Sequence, residues 1–343
     1  MEKADLHRHL LGSVTPHMFV DARDRYIDEM APRLSKRRAK SLLVVNSPVN
    51  GLEPFFRPWR LLCSILVSPD VIRRWIVGAL AIAKSDNVTY TEFRAGWGMT
   101  GTEPFGIVDF LHACRAGIHE AQDLHGVNAR IILSVTRHLF DRHNAQRRCS
   151  LWAEILSAAV QFRDIVVGFD LSGVEIGHPA RDFAPEFKAA RGAGFKITVH
   201  CGEVCGPDSI WEALEFLCPD RLGHAISCVR DPALMQHLAE SGIPVEVCPT
   251  VNRLTKAYPT ESMHPVVEMY RAGVNITIGT DNPAICETSL TRELIILNQS
   301  YDFSDRDIEV IVANGFSSAF SSPLSRKPPA RVENLTDPLV SVA

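Results

Sequence analysis

Residues 196–203 read Lys-Ile-Thr-Val-His-Cys-Gly-Glu. A short apolar run ends on His200, Gly202 permits a sharp turn, Glu203 follows it, and a longer stretch of helical periodicity comes next. That succession is the mark of a parallel β/α unit, whose strands are covered on both faces and so read as nearly continuous apolar runs. Outward from it the pattern recurs, giving eight runs in all: Lys3–His9, Thr89–Arg94, Ala129–Thr136, Ile165–Leu171, Lys196–His200, Arg221–His224, Pro244–Cys248 and Asn275–Thr280. Eight such units in about 280 residues match a (β/α)8 TIM barrel. Residues 1–321 are read as one barrel and 322–343, rich in Pro, Ser and charge, as a loosely ordered tail. Between the first two runs, about residues 15–85 hold several helical segments, an expected helical lid inserted after the first strand. Its Phe55, Phe56 and Trp59 pack as core or line an apolar pocket.

His7, His9, His200, Glu203, His224 and Asp281 all fall at or just beyond the C-terminal ends of these runs. In a barrel that end is the catalytic face. On a strand, His7 and His9 point to the same side, so two ring nitrogens converge on one point. The pair alone is a weak signal, and a buried His200 followed by a helix-capping Glu203 has an ordinary structural explanation. Asp281 is different, because a carboxylate on an apolar strand is costly without a cation or donors to compensate it. Three neutral imidazoles and one carboxylate suit a borderline divalent ion such as zinc, one per chain, with a position left for water. His224 and Glu203 then remain for proton transfer, and the constellation reads as metal-assisted hydrolysis.

Composition narrows the partners. The chain has 343 residues, 46% hydrophobic and 22% charged, with a formal net charge of -4. It can bury a large core and carries no field suited to a polyanion, so a nucleic-acid polymer is not expected. The basic run Lys36–Lys40 reads as a solvated helix face. No apolar leader precedes His7, and the most apolar window, residues 75–83, is too short for a bilayer, so no membrane partner is expected either. The nine cysteines form no C-x-x-C pair and fit reduced barrel packing in a cytoplasmic protein. An oligomer is compatible with these features. No G-x-S-x-G elbow, Walker A loop or dinucleotide fingerprint occurs.

The blocks KADLHRHLLGS (3–13), FDLSGVE (169–175), ITVHCGEVCGPDSI (197–210), DRLGHAI (220–226), VEVCPTVN (245–252), HPVVEMYRAGV (264–274) and TDNPAICETSLTREL (280–294) stand in this order. With them the sequence resembles the adenosine deaminase family of metal-dependent hydrolases, from about Lys3 to Phe320. The resemblance implies zinc held by His7, His9, His200 and Asp281, with Asp281 also orienting the water. It implies Glu203 as donor of a proton to the purine ring nitrogen beside the amino-bearing carbon, and His224 as holder and base of the attacking water. It also implies that the Gly173 backbone amide meets the purine edge. The partner implied is a small purine nucleoside or base.

Two positions depart from the family pattern. Leu11 stands where Asp usually binds the ribose 5′-hydroxyl, and leucine makes no such bond. Asn282 replaces the second Asp of a pair, although its amide can still donate to the purine. Leu11 leaves two readings open: it packs beneath the lid, or the substrate is adenine, 5′-methylthioadenosine, aminodeoxyfutalosine or another specialised nucleoside. A rival of another class is a catalytically silent nucleoside-binding barrel. Ser172, Glu175, His178 and Thr250–Asn252 are expected to line the mouth, and Glu92 with Arg94 to form a buried structural ion pair.

Overall fold

A computed structural model describes residues 1–26, 34–50, 52–65, 68–97, 103–259 and 263–321, so the expected tail at 322–343 lies outside the described residues. Eight strands form one parallel sheet in sequential order, β1 (Lys3–His9), β2 (Val88–Ala95), β3 (Asn128–Thr136), β4 (Val166–Ser172), β5 (Lys196–Cys201), β6 (Arg221–His224), β7 (Val245–Val247) and β8 (Ile276–Ile278). Just past β8 the ring is joined to β1: His7 O accepts from Asp281 N and His9 N donates to Asp281 O, both at 2.7 Å. The fold is the (β/α)8 barrel, and each expected strand lies within two residues of an observed one.

Helices α1 (Pro16–Tyr26), α2 (Lys36–Leu43), α3 (Leu52–Phe55), α4 (Arg57–Cys63) and α5 (Pro69–Ser85) intervene between β1 and β2. Helix α5 shows why the sequence folds this way. The Ser68 side chain caps it by accepting from Asp70 N, and Pro69 fits the first turn, where an N–H has no helical partner. Its apolar stripe Val71, Ile72, Trp75, Ile76, Ala79, Leu80 and Ala83 is buried, mostly against α6 (Ile107–His125). Burying each large side chain there stabilises the fold by about 1.5–3 kcal/mol.

The barrel floor is polar rather than aliphatic. Glu92, Arg94, Thr198, Arg221 and Glu246 are all buried inside it. Glu92 and Arg94 do not pair with each other. Arg221 bonds Glu92 and Glu246, each at 2.5 Å, while Arg94 pairs with Glu246 and, at 3.5 Å, with Asp170. The reason is geometric: residues two apart on a strand are stacked about 6.6 Å apart on one face, so their partners come from across the barrel. Five cysteines are buried, but Cys63, Cys149 and Cys218 are exposed and Cys205 is half-buried, so barrel packing does not account for all nine. Cys63 ends α4, Cys149 lies in the helix Ala145–Gln161 and Cys218 follows the helix Pro207–Leu217, so these three stand on the helical layer and not in the barrel. Among the described residues no helix is long and apolar enough to cross a membrane.

Candidate active site

The catalytic face is assembled from backbone that few residues tolerate. His224 and Asp281 adopt left-handed φ values of +60° and +57°, which for non-glycine residues cost on the order of 1–3 kcal/mol. Both conformations turn a strand end sharply, so the side chain faces the mouth. Gly202, at φ +61°, makes the corner between His200 and Glu203; a Cβ there would lie 2.4 Å from Ile210 Cδ1. Only glycine fits.

Three imidazoles and a carboxylate converge. His9 Nε2 lies 3.3 Å from His200 Nε2 and 3.2 Å from Asp281 Oδ1, and His7 Nε2 lies 3.8 Å from the same oxygen. The other ring nitrogens are engaged behind. His7 Nδ1 is 3.0 Å from Glu246 Oε2 and His200 Nδ1 is 2.8 Å from Asp170 Oδ1, so each Nε2 is aimed at the cluster. Carboxylate–histidine pairs of this kind orient metal ligands and raise their basicity. Burial first, then the Arg94 charge and neighbouring rings, hold His7 well below the usual imidazole range; burial likewise leads for His9 and His224. These rings are neutral at pH 7 and present lone pairs to one another. Among the described residues His7 Nε2 is buried with no hydrogen-bond partner, and burial pushes Asp281 up to about 7. An orphaned imidazole nitrogen and a carboxylate that resists ionisation are what a divalent cation relieves, so the donor set fits zinc.

Two triplets have ligand atoms that all lie within 4.8 Å of one another, His7, His200 and His224, and His7, Cys248 and Asp281; His9 belongs to neither, although it is close to His200 and Asp281. Burial pushes the Cys248 thiol well up, which leaves it a neutral and weak ligand. His224 Nε2 stands 3.9 Å from Asp281 Oδ2 and 3.7 Å from Glu203 Oε2, so it faces the carboxylates on the proton-transfer side. Its Nδ1 lies 3.2 Å from Asn252 Nδ2. The Glu203 carboxyl group accepts from Thr255 Oγ1 at 3.4 Å and is pushed up to about 8 by burial and then by Asp281 and Glu175. It therefore holds a proton at neutral pH.

The remaining expected residues surround this centre. Gly173 follows β4 at φ +87°, against Thr136 and His138. Asn282 is buried beside Gly12, and its Nδ2 donates to Asp281 Oδ1 at 2.6 Å, so the amide first holds the carboxylate. Leu11 opens the short helix Leu11–Ser13 two residues after His9, and α4 packs on that helix. Phe55 is buried and Trp59 half-buried, with ring centroids 5.6 Å apart. Glu175 does not line the mouth; it is buried beneath the loop that carries Glu203. Sequence reading missed Asp170 and Glu246 as partners of the histidines, and Asn252 and Thr255 as partners of the proton-transfer pair. A signal existed for two of them: Asp170 in FDL and Glu246 in VEV are, like Asp281, charges within apolar strands.

The comparisons agree with this geometry. The family model described as adenosine deaminase matches residues 2–328. An adenosine deaminase of Pectobacterium atrosepticum is 31% identical over 320 residues, covering 93% of this chain and 92% of that protein. An adenine deaminase of Rhodopseudomonas palustris is 29% identical over 327 residues, covering 95% and 92%. A solved amidohydrolase structure from Burkholderia ambifaria, with bound Zn, superimposes with a TM-score of 0.81 at 25% identity, covering 94% of this chain and 86% of that one. A barrel of eight parallel strands, a histidine–aspartate centre at its mouth and a family match over nearly the whole chain lead to one conclusion: the chain belongs to the adenosine deaminase family and is an aminohydrolase.

Proposed function

We propose that this chain is a zinc-dependent aminohydrolase that replaces the 6-amino group of a purine nucleoside, adenosine or a derivative, with oxygen and releases ammonia. One observation carries the reading: His7, His200 and Asp281, buried, and His9, half-buried, gather at one point that faces the Glu203 carboxyl group and the His224 ring. In this reading those four residues hold one ion, His9 taking the third imidazole place because it is closer than His224 to Asp281. Bound there, zinc supplies Lewis acidity and lowers the pKa of a water toward about 7.

The protein's own groups do the rest. His224, neutral and buried, accepts the proton of the attacking water at Nε2, in the tautomer that keeps its own proton on Nδ1 with the Asn252 amide turned so that its oxygen accepts there, while Asp281 orients that water through Oδ2. Glu203 delivers its proton to the ring nitrogen beside the amino-bearing carbon, which draws electrons from that carbon as the oxygen adds. The proton taken by His224 then leaves with the amino group as ammonia, and the remaining proton of the added oxygen passes to Glu203 as the carbon–oxygen double bond forms, which restores the acid. The Gly173 amide and the free amide hydrogen of Asn282 meet the purine edge.

Leu11 favours a second reading of the substrate. Helix α4, which carries Trp59, packs on the segment that carries Leu11, and Trp59 packs in turn against the buried Phe55. A purine with no 5′-hydroxyl to bind, as a free base or a nucleoside with an apolar 5′ group, suits that wall, and the relatives named above include both an adenosine and an adenine deaminase. The free cysteines accord with a cytoplasmic setting. A silent binding barrel has no need to keep both Glu203 and His224. The test is a screen of adenine, adenosine, 2′-deoxyadenosine, 5′-methylthioadenosine and adenosine monophosphate with the zinc-loaded protein, read by loss of the 6-amino chromophore. Turnover of at least one is expected, and inactivity toward all of them overturns the reading.

A further inference from the structure

The loop that carries Glu203 is held by a buried charge from the neighbouring β/α unit. Glu175, 7% exposed, accepts hydrogen bonds from three successive backbone amides: Gly202 N to Oε2 at 2.8 Å, and Glu203 N and Val204 N to Oε1, each at 3.0 Å. Ser209 Oγ donates to Oε2 at 3.1 Å and also accepts from Gly202 N at 2.9 Å. From the other side Ser227 N donates to Gly202 O at 3.0 Å. The opposite charge is placed in the same manner. Arg137, 2% exposed at the end of β3, donates to His178 O at 2.9 Å and to His200 O at 2.6 Å. His178 N in turn donates to Glu175 O at 3.0 Å. Among the described residues Arg137 and Glu175 form no direct ion pair; the Glu175 carboxylate is met by amides of the loop after β5, and the Arg137 guanidinium by carbonyls of the loop after β4 and of β5 itself.

We propose that Glu175, with Arg137 as its counter-charge, is a positioning residue that clamps the Gly202–Val204 backbone and so aims the Glu203 carboxyl group at the substrate ring. The inference rests on Glu203 being the proton donor. A carboxylate suits this task and an amide does not. Both Glu175 oxygens accept, whereas glutamine offers one oxygen and turns an NH2 group against backbone N–H donors. Leaving those buried amides unsatisfied loosens the corner. A proton donor displaced by even about 1 Å loses on the order of 100-fold in rate. Substrate contacts made elsewhere in the site are retained, so the loss falls on kcat rather than KM.

The test compares wild type with Glu175→Gln in the zinc-loaded protein, by amide hydrogen exchange and by steady-state kinetics. Expected are exchange at residues 202–204 faster by at least about tenfold, kcat lower by about 10- to 100-fold, KM within threefold and zinc content unchanged. Unchanged exchange at 202–204 overturns the clamp, and faster exchange with unaltered kcat overturns its role in aiming Glu203. If Glu175→Gln does not fold, Ser209→Ala removes one donor to the same oxygen and is judged by the same two readouts. Should wild type deaminate no 6-aminopurine, the functional reading fails, while the exchange comparison still decides the clamp by itself.

Discussion

Gly279→Ala places a methyl group where β1 and the end of β8 touch. The added Cβ would stand 2.5 Å from His7 Cβ, 2.9 Å from His7 O and 3.2 Å from His7 Cα. None of these atoms belongs to a flexible side-chain tip that could swing away. The two segments are also tied by the paired 2.7 Å bonds between Asp281 and residues 7 and 9. Relief to an ordinary contact of about 3.5–4 Å therefore separates β1 from β8 by about 1 Å at the point where His7, His9 and Asp281 converge. Overpacking of this kind costs about 1–3 kcal/mol. With an unfolding entropy of about 2.1 cal/mol/K per residue, that is a fall in Tm of about 1.5–4 °C for the metal-free protein. The larger consequence is at the centre, where ligand misplacement of about 1 Å should weaken zinc retention and lower turnover about 100-fold. The assays are thermal unfolding of the metal-free protein and zinc release to a coloured chelator. Gly192→Ala is the control, since a Cβ at that helix position meets nothing within 4 Å and should be neutral or slightly stabilising. A Gly279→Ala protein that keeps wild-type zinc affinity and wild-type Tm refutes the view that this contact sets the ligand geometry.

Asp170→Asn removes the charge behind His200 Nδ1, and zinc should then leave about 10- to 100-fold faster, measured by stopped-flow chelation; an unchanged rate contradicts the orienting role. The pH dependence has a defined sign. Burial raises the Glu203 carboxyl group to about 8 and the donor must be protonated, so kcat is full below that value and falls as pH rises through it. Zinc on Asp281 lowers the inflection, which thus lies no higher than about 8, and a kcat flat from pH 7 to 10 removes Glu203 as the acid. Leu11→Asp should raise kcat/KM for adenosine relative to its 5′-deoxy analogue by about tenfold or more, and an unaltered ratio places the 5′ group elsewhere.

Much of the fold can be read from residue order because parallel strands covered on both faces read as mostly apolar runs, even where single charges point into the barrel. Runs such as Ala129–Thr136 and Ile165–Leu171 announce themselves. The centre is partly legible for the same reason: His7-x-His9 shares one strand face by parity, and Asp281 stands out as a charge in an apolar segment. What sequence order hides is pairing across the barrel. Glu246 meets His7, Arg94, Thr198 and Arg221, residues that lie far apart along the chain and whose common neighbour appears only when the ring closes. Glu92 and Arg94 suggest a pair by proximity in sequence, yet their stacking on one strand sends each to a different partner. Glu175 was hidden differently. Its partners are backbone amides, which carry no residue-type signal at all.

Zinc titration of the metal-free protein, with ammonia release from the best 6-aminopurine followed at each addition, tests the proposed centre most directly. Turnover should rise in proportion to zinc and level off at one ion per chain, with Glu203→Gln binding the same one ion without turning over. Full turnover in the rigorously metal-free protein, or none at any zinc level with every 6-aminopurine offered, contradicts it.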